Sequence, residues 1–237
     1  MGKIYTALGL MSGTSMDGVD ASIIQTDGKS HYRAILDRYF EYPKNIYNNL
    51  TTLRDKIKSS TSLKKYQKEI KTIEKDITIF HAEAVNEILT NERINVDFIG
   101  FHGQTIFHSA KGKITKQIGD GKLLSKLTKK KVVYNFRQND LKNGGEGAPL
   151  TPIFHRMLAE KFNLAQKKIS PSTQGTFINI GGITNITRID SDFNIYAQDC
   201  GPGMCLIDKW MRLNSKNKID KDGKVASKGS IKNEIVR

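Results

Sequence analysis

Apolar residues alternate with small and polar ones over Lys3–Leu10, Val19–Thr26 and His31–Phe40, and Asp27-Gly28 between the last two is a two-residue turn signal. The pattern predicts an antiparallel meander of three strands. The period then changes. Pro43 suits the first turn of one helix, and Leu63, Tyr66, Ile70, Ile73, Ile77, Phe80, Ala84 and Ile88 repeat at helical spacing over Ser62–Asn91. That stripe is packing. Val96–Phe101, Ile114–Ile118 and Lys131–Phe136 read as strands, with a short helix over Lys122–Thr128. An apolar helix follows over Pro152–Phe162, and the polar Gln166–Gly175 segment with Pro171 reads as a surface loop or linker. Thr176–Ile180 opens a second set of short strands, followed by a helix containing Trp210 and a loop or frayed tail over Asn214–Arg237. A meander restarting near Gly175 fits two similar halves.

Composition narrows the class. The chain has 237 residues, 38% of them hydrophobic and 26% charged, which fits a folded globular protein. No apolar run approaches the roughly 18 residues of a membrane span, and no signal-peptide core follows Met1. Cys200 and Cys205 support neither a disulfide framework nor a zinc site, so an intracellular, reducing setting is expected. The net charge of +14 comes mostly from dispersed lysines without interleaved stacking aromatics. A solvated surface is therefore expected rather than a nucleic-acid face, although its field attracts anionic metabolites.

The chemistry concentrates in glycine-bearing loops at strand ends. Gly13-Thr14-Ser15-Met16-Asp17-Gly18 combines close-approach backbone, hydroxyl donors and one carboxylate. A nucleotide phosphate with Mg²⁺ calls for that mixture, though the loop reads equally well as a plain β-hairpin. It is neither a Walker A loop nor a dinucleotide fingerprint. Arg137 and Asp140 stand three apart beside the glycine-rich Asn143–Pro149 segment. An Asp there can act as general base with Arg137 as anion clamp, or simply cap a turn. His102 and Gln104 suit hydrogen bonds to a sugar, against the alternative of a satisfied core histidine. His102 and His108 lack a third metal ligand.

Taken together, these loops resemble the anhydro-N-acetylmuramic acid kinase family of the actin/hexokinase/Hsp70-like ATPase superfamily. The matching runs are Gly9–Asp20, His102–His108, Gln117–Asp120, Phe136-Arg137 with Asp140, Gly144-Gly145 with Gly147–Leu150, Asn179–Ile183, and Gly201–Gly203 with Leu206–Asp208. The resemblance implies an α/β, actin-like ATPase (ribonuclease H-like) fold in two domains, residues 1–130 and a partial second domain over 131–237. It implies an ATP- and Mg²⁺-dependent kinase that opens the anhydro ring of 1,6-anhydro-N-acetylmuramic acid with water and phosphorylates O6. The product is N-acetylmuramic acid 6-phosphate, in cytoplasmic peptidoglycan recycling. By position, Gly13, Thr14, Ser15, Met16, Asp17, Gly18, Val19 and Asp20 match the ATP loop, and Asp140 matches the carboxylate that activates water. His102, Gln104 and Arg137 are assigned to the sugar, and the metal ligands are left open.

The chain departs from the family pattern at Asn135, Glu146, Cys200 and Met204. Family chains also run well past the point matching Lys221-Asp222-Gly223, so the second domain is expected to be incomplete. The implied partners are a small amino sugar and either a homodimer or a complementing C-terminal polypeptide, with no nucleic acid and no membrane. The competing expectation is a truncated, inactive remnant that keeps weak nucleotide binding.

Overall fold

In the computed structural model, residues 2–165, 175–190 and 192–234 are described, with the side chains of 162–165 left aside; the expected linker at 166–174 lies outside them. Strands β1 (Tyr5–Ser12), β2 (Gly18–Thr26) and β3 (Tyr32–Glu41) form the predicted meander. The Asp27 carboxylate fixes the second turn by accepting from the N–H groups of Lys29, Ser30 and His31, each at 2.9 Å. Helix α1 (Lys44–Lys56) starts after Pro43, which stands at the N-cap, and buries Ile46, Leu50 and Leu53.

The long helix predicted over 62–91 is two helices. A short α2 (Ser60–Lys65) is capped by Ser59, and α3 (Gln67–Glu92) starts after Tyr66. The backbone of Tyr66 (φ −100°, ψ 20°) leaves the helical region and separates them. Along α3 the stripe Ile70, Ile73, Ile77, His81, Ala84, Val85 and Ile88 is buried.

Strand β4 (Phe98–Ser109) runs well past the predicted end at Phe101 and carries His102–Thr105 within it. It lies parallel to β1 and then antiparallel to β5 (Ile114–Ile118). After α4 (Gly121–Thr128), β6 (Lys131–Tyr134) pairs in parallel with the first half of β4. The first sheet thus has the order β3-β2-β1-β4-β5, with β6 on β4, so β6 joins the first sheet although it follows residue 130. Its core face presents Leu8, Leu10, Val19, Ile23, Ile99 and Phe101 to α1 and α3.

The strand predicted to reach Phe136 stops at Tyr134. Asn135 adopts a left-handed φ of 63°, and α5 (Phe136–Lys142) begins there. Helix α6 (Pro152–Ala165) then leads to a separate antiparallel sheet of β7 (Gly175–Ile180), β8 (Ile183–Ile189) and β9 (Ile195–Pro202). His155 ties α6 to that sheet by stacking on Phe177 at 4.7 Å and bonding Thr187 Oγ1 at 2.9 Å. Helix α7 (Cys205–Asn214) follows. Within the segment expected to be a loop or frayed tail, Asp220 accepts from the N–H groups of Val225 and Ala226 and orders a short turn. No helix among the described residues is long and apolar enough to cross a membrane.

Candidate functional site

The loop between β1 and β2 is held from beneath. Met16 takes a left-handed φ of 60°, buries its side chain and donates its N–H to Gly13 O at 3.2 Å. Gly18 has no room for a side chain, since a Cβ there would stand 2.3 Å from Phe40 O. Tyr42 N–H closes the far side on Asp17 O at 2.8 Å. The hairpin is thus a shaped loop, with Thr14 and Ser15 exposed and Met16 and Val19 pointing inward.

Three buried side chains set its near end. Ser12 Oγ lies 2.8 Å from Tyr42 Oη and 3.3 Å from His81 Nε2, and His81 Nδ1 lies 2.7 Å from Ile77 O. A carbonyl only accepts, so Nδ1 carries the ring proton and Ser12 donates to Nε2. Complete burial holds the His81 pKa down to about 4, consistent with that neutral ring. From β4, Gln104 Nε2 donates to Gly13 O at 2.9 Å. Its Oε1, equally buried, has no protein donor among the described residues. Gln104 therefore braces the β1–β2 loop with one end and, among the described residues, has an unfilled acceptor at the other.

Two residues earlier on β4, His102 faces the other half of the site. Its Nδ1 is 2.7 Å from Gly103 O and its Nε2 accepts from Arg137 Nε at 2.9 Å. Burial, then the Arg137 charge, push its pKa down to about 4. Both ring nitrogens are thus engaged within the protein. Arg137 also donates through Nη1 to Gly147 O at 2.8 Å, and Gly147 N–H donates to Asp140 Oδ2 at 2.7 Å. Helix α5 carries both Arg137 and Asp140, and the Asn143–Pro149 turn folds back over them. Gly145 can only be glycine here, because a Cβ would sit on the Asp140 carboxylate.

The second sheet meets this surface through its glycines. A Cβ on Gly182 would lie 2.2 Å from Thr14 Oγ1, so the β7–β8 turn rests directly on the first loop. Gly203 N–H donates to Gly182 O at 2.9 Å, which fixes the Gly201–Gly203 segment beside it. Charges couple within the first loop and across the same junction. Burial and then Asp17 raise the Asp20 pKa, burial and the Asp17 charge likewise raise that of Asp208 against the opposing Arg212, and burial ahead of Asp17 pushes the Tyr39 phenol up. Arg137 is lowered by burial and opposed by Asp199 of β9. Among the described residues no group of three or more His, Cys, Asp or Glu gathers to hold a metal.

The sequence-predicted residues fall into two groups joined by β4. Residues 13–20 with Gln104 form one, and His102, Arg137 and Asp140 form the other. Ser12, Tyr42, His81, Asp199 and Asp208 were not singled out from sequence. Of these, Ser12 and Asp208 lie inside the runs Gly9–Asp20 and Leu206–Asp208, and His81 falls on the apolar stripe of α3.

A family model described as anhydro-N-acetylmuramic acid kinase matches residues 5–237. A protein of that name from Pelagibacter ubique (strain HTCC1062) is 53% identical over all of this chain and 62% of its own length. Another, from Agrobacterium fabrum (strain C58), is 39% identical over all of this chain and 63% of its own. The chain thus spans a little over three fifths of these curated relatives. A solved Aquifex aeolicus member of the Ppx/GppA family is similar at a TM-score of 0.39 and 10% identity, over 87% of this chain and 54% of that one.

Proposed function

The chain belongs to the anhydro-N-acetylmuramic acid kinase family, with the α/β, actin-like ATPase fold of that family, and from that premise we propose that it supports ATP-dependent phosphorylation of an anhydro amino sugar. The substrate is 1,6-anhydro-N-acetylmuramic acid and the product N-acetylmuramic acid 6-phosphate, in cytoplasmic recycling of peptidoglycan. Water adds to the anomeric carbon and gives its proton to Asp140. The C1–O6 bond breaks, its electrons pass to O6, and O6 attacks the γ-phosphorus as ADP departs. The observation that carries this reading is the His102–Gln104 stretch of β4, which ties Gly13 of the loop to Arg137 beside Asp140.

In this reading, residues Gly13 to Asp20 cradle the phosphates. The N–H groups of Thr14 and Ser15 have no protein acceptor among the described residues, while Met16 and Val19 contribute shape from within. Asp17 and Asp20 are the carboxylates of this loop, close enough that the Asp17 charge helps raise the Asp20 pKa, and they would hold Mg²⁺ through its waters. When bound, the ion would neutralise charge on the phosphates. The test is ³¹P NMR of the protein with Mg-ATP and the anhydro sugar. A sugar 6-phosphate signal that disappears in Asp140→Asn, with nucleotide binding retained, is expected; unchanged turnover in that variant removes Asp140 as the base.

A second reading is favoured by exposed Ile178, Ile180, Leu206, Trp210 and Leu213. In it the chain by itself binds nucleotide weakly without turnover, and a second copy or a complementing polypeptide must cover that face first. Absence of the 6-phosphate signal from folded protein, with ATP binding preserved, selects this reading.

A further inference from the structure

The contacts of His102 and Arg137 form a directed series. The Gly103 carbonyl can only accept, so His102 Nδ1 at 2.7 Å carries the proton and Nε2 presents a lone pair. Arg137 Nε–H fills that lone pair at 2.9 Å. The same guanidinium reaches Gly147 O through Nη1 at 2.8 Å. Gly147 N–H then holds Asp140 Oδ2 at 2.7 Å. Gly147 is pinned from both sides. Its φ of 74° is left-handed, and a Cβ would meet Leu141 Cγ at 3.1 Å and both Arg137 O and His108 Cε1 at 3.3 Å. Asp140 Oδ1, by contrast, has no protein donor among the described residues.

We propose that His102 and Arg137 are positioning residues for Asp140, acting through Gly147 to fix one carboxylate oxygen so that the other faces the attacking water. The inference rests on Asp140 being the base of the proposed reaction. It gives His102 and Arg137 a different task from contact with sugar or phosphate. Sugar binding by His102 would require one of its two existing bonds to break. An anion clamp at 137 needs only positive charge, whereas this series needs the planar fork that donates in two directions at once. A lysine supplies one point donor and cannot span His102 and Gly147.

The test compares His102→Asn, His102→Gln and Arg137→Lys with the unaltered chain. Glutamine can place an acceptor near the lost Nε2; asparagine is too short. In His102→Asn and Arg137→Lys, kcat is expected to fall about 10–100-fold, the usual cost of losing an orienting partner, while KM for sugar and for ATP stays within about twofold. His102→Gln should recover most of that loss. A readout independent of turnover is the ¹⁵N–¹H signal of the Gly147 amide, shifted downfield by its carboxylate acceptor. It should move upfield in His102→Asn and Arg137→Lys and stay in place in His102→Gln. A Gly147 signal unmoved in both disrupted variants overturns the proposal. So does Arg137→Lys with full kcat, or a rise in KM for sugar at constant kcat. If the unaltered chain gives no turnover, the kinase reading fails on that result, and the amide signals alone decide the series.

Discussion

The two sheets begin with the same three-strand antiparallel meander and carry their glycine turns toward the same junction, yet they are supported very differently. In the first, β4 lies parallel to β1, α1 and α3 cover the inner face, and Leu8, Leu50, Ile77 and Ile99 are fully buried. In the second, β7 pairs with β8 alone among the described residues, and Ile178 is 62% exposed, Trp210 53% and Leu213 74%. Burying a large apolar side chain contributes about 1.5–3 kcal/mol, and the second unit forgoes that at several positions. One half of the junction therefore stands on a packed core, and the other on a sheet and a helix α7 that keep large apolar side chains exposed.

The largest test of that contrast is a pair of truncations. Leu50→Ala truncates a fully buried side chain in the core and should cost about 2–5 kcal/mol. Leu213→Ala removes a side chain that touches mostly water and should change stability by no more than about 0.5 kcal/mol. Urea unfolding followed by circular dichroism measures both. Comparable losses would mean that the second unit is covered in solution, by another copy of the chain or by a segment of it.

The same contrast governs what the sequence disclosed. The first meander was legible because its alternation is clean and Asp27-Gly28 marks the turn with its own chemistry. Helix α5 was not, since Val132-Val133 carries a strand signal and only the left-handed Asn135 ends it. β4 was read short because Gly103 looks like a terminator. Its φ of 70° is instead accommodated within the strand, close under Ile118 O of β5. Asp140 and Arg137 could be nominated from one short segment. Their link to His102 spans 35 positions, and Thr14 meets Gly182 only through the tertiary fold, so local pattern carried neither. Long-range pairing of polar groups leaves no period to read.

Acid provides a second, smaller test, directed at the packed half. His81 is completely buried in α3 with its pKa held down to about 4, against 6.5 when exposed. The unfolded chain takes up that proton first as pH falls. The stabilisation is therefore complete above about pH 6.5 and is lost progressively as pH drops toward 4. At about 1.4 kcal/mol per pH unit, His81 alone accounts for roughly 3 kcal/mol across that window. His102, also lowered to about 4, acts in the same direction beside the Arg137 bond. The denaturant midpoint of the first unit should fall steadily from pH 6.5 to 4.5. A flat profile would mean that these rings open to water at little cost.

The finest test lies where the two halves touch. A Cβ on Gly182 would stand 2.2 Å from Thr14 Oγ1 and 3.2 Å from Thr14 Cβ, whereas no side-chain atom beyond Thr14 crowds that position. Gly182→Ala should therefore leave global stability nearly unchanged while displacing the loop proposed to hold phosphate. An affinity loss for Mg-ATP of about tenfold, or 1.4 kcal/mol, is expected by isothermal titration calorimetry. Thr14→Gly in the same chain removes both crowding atoms and should restore much of the loss, a coupling that two independent sites would not produce. Additive losses in the double variant would separate the β7–β8 turn from the nucleotide loop. Rescue would tie the open sheet to the packed one at a single residue pair.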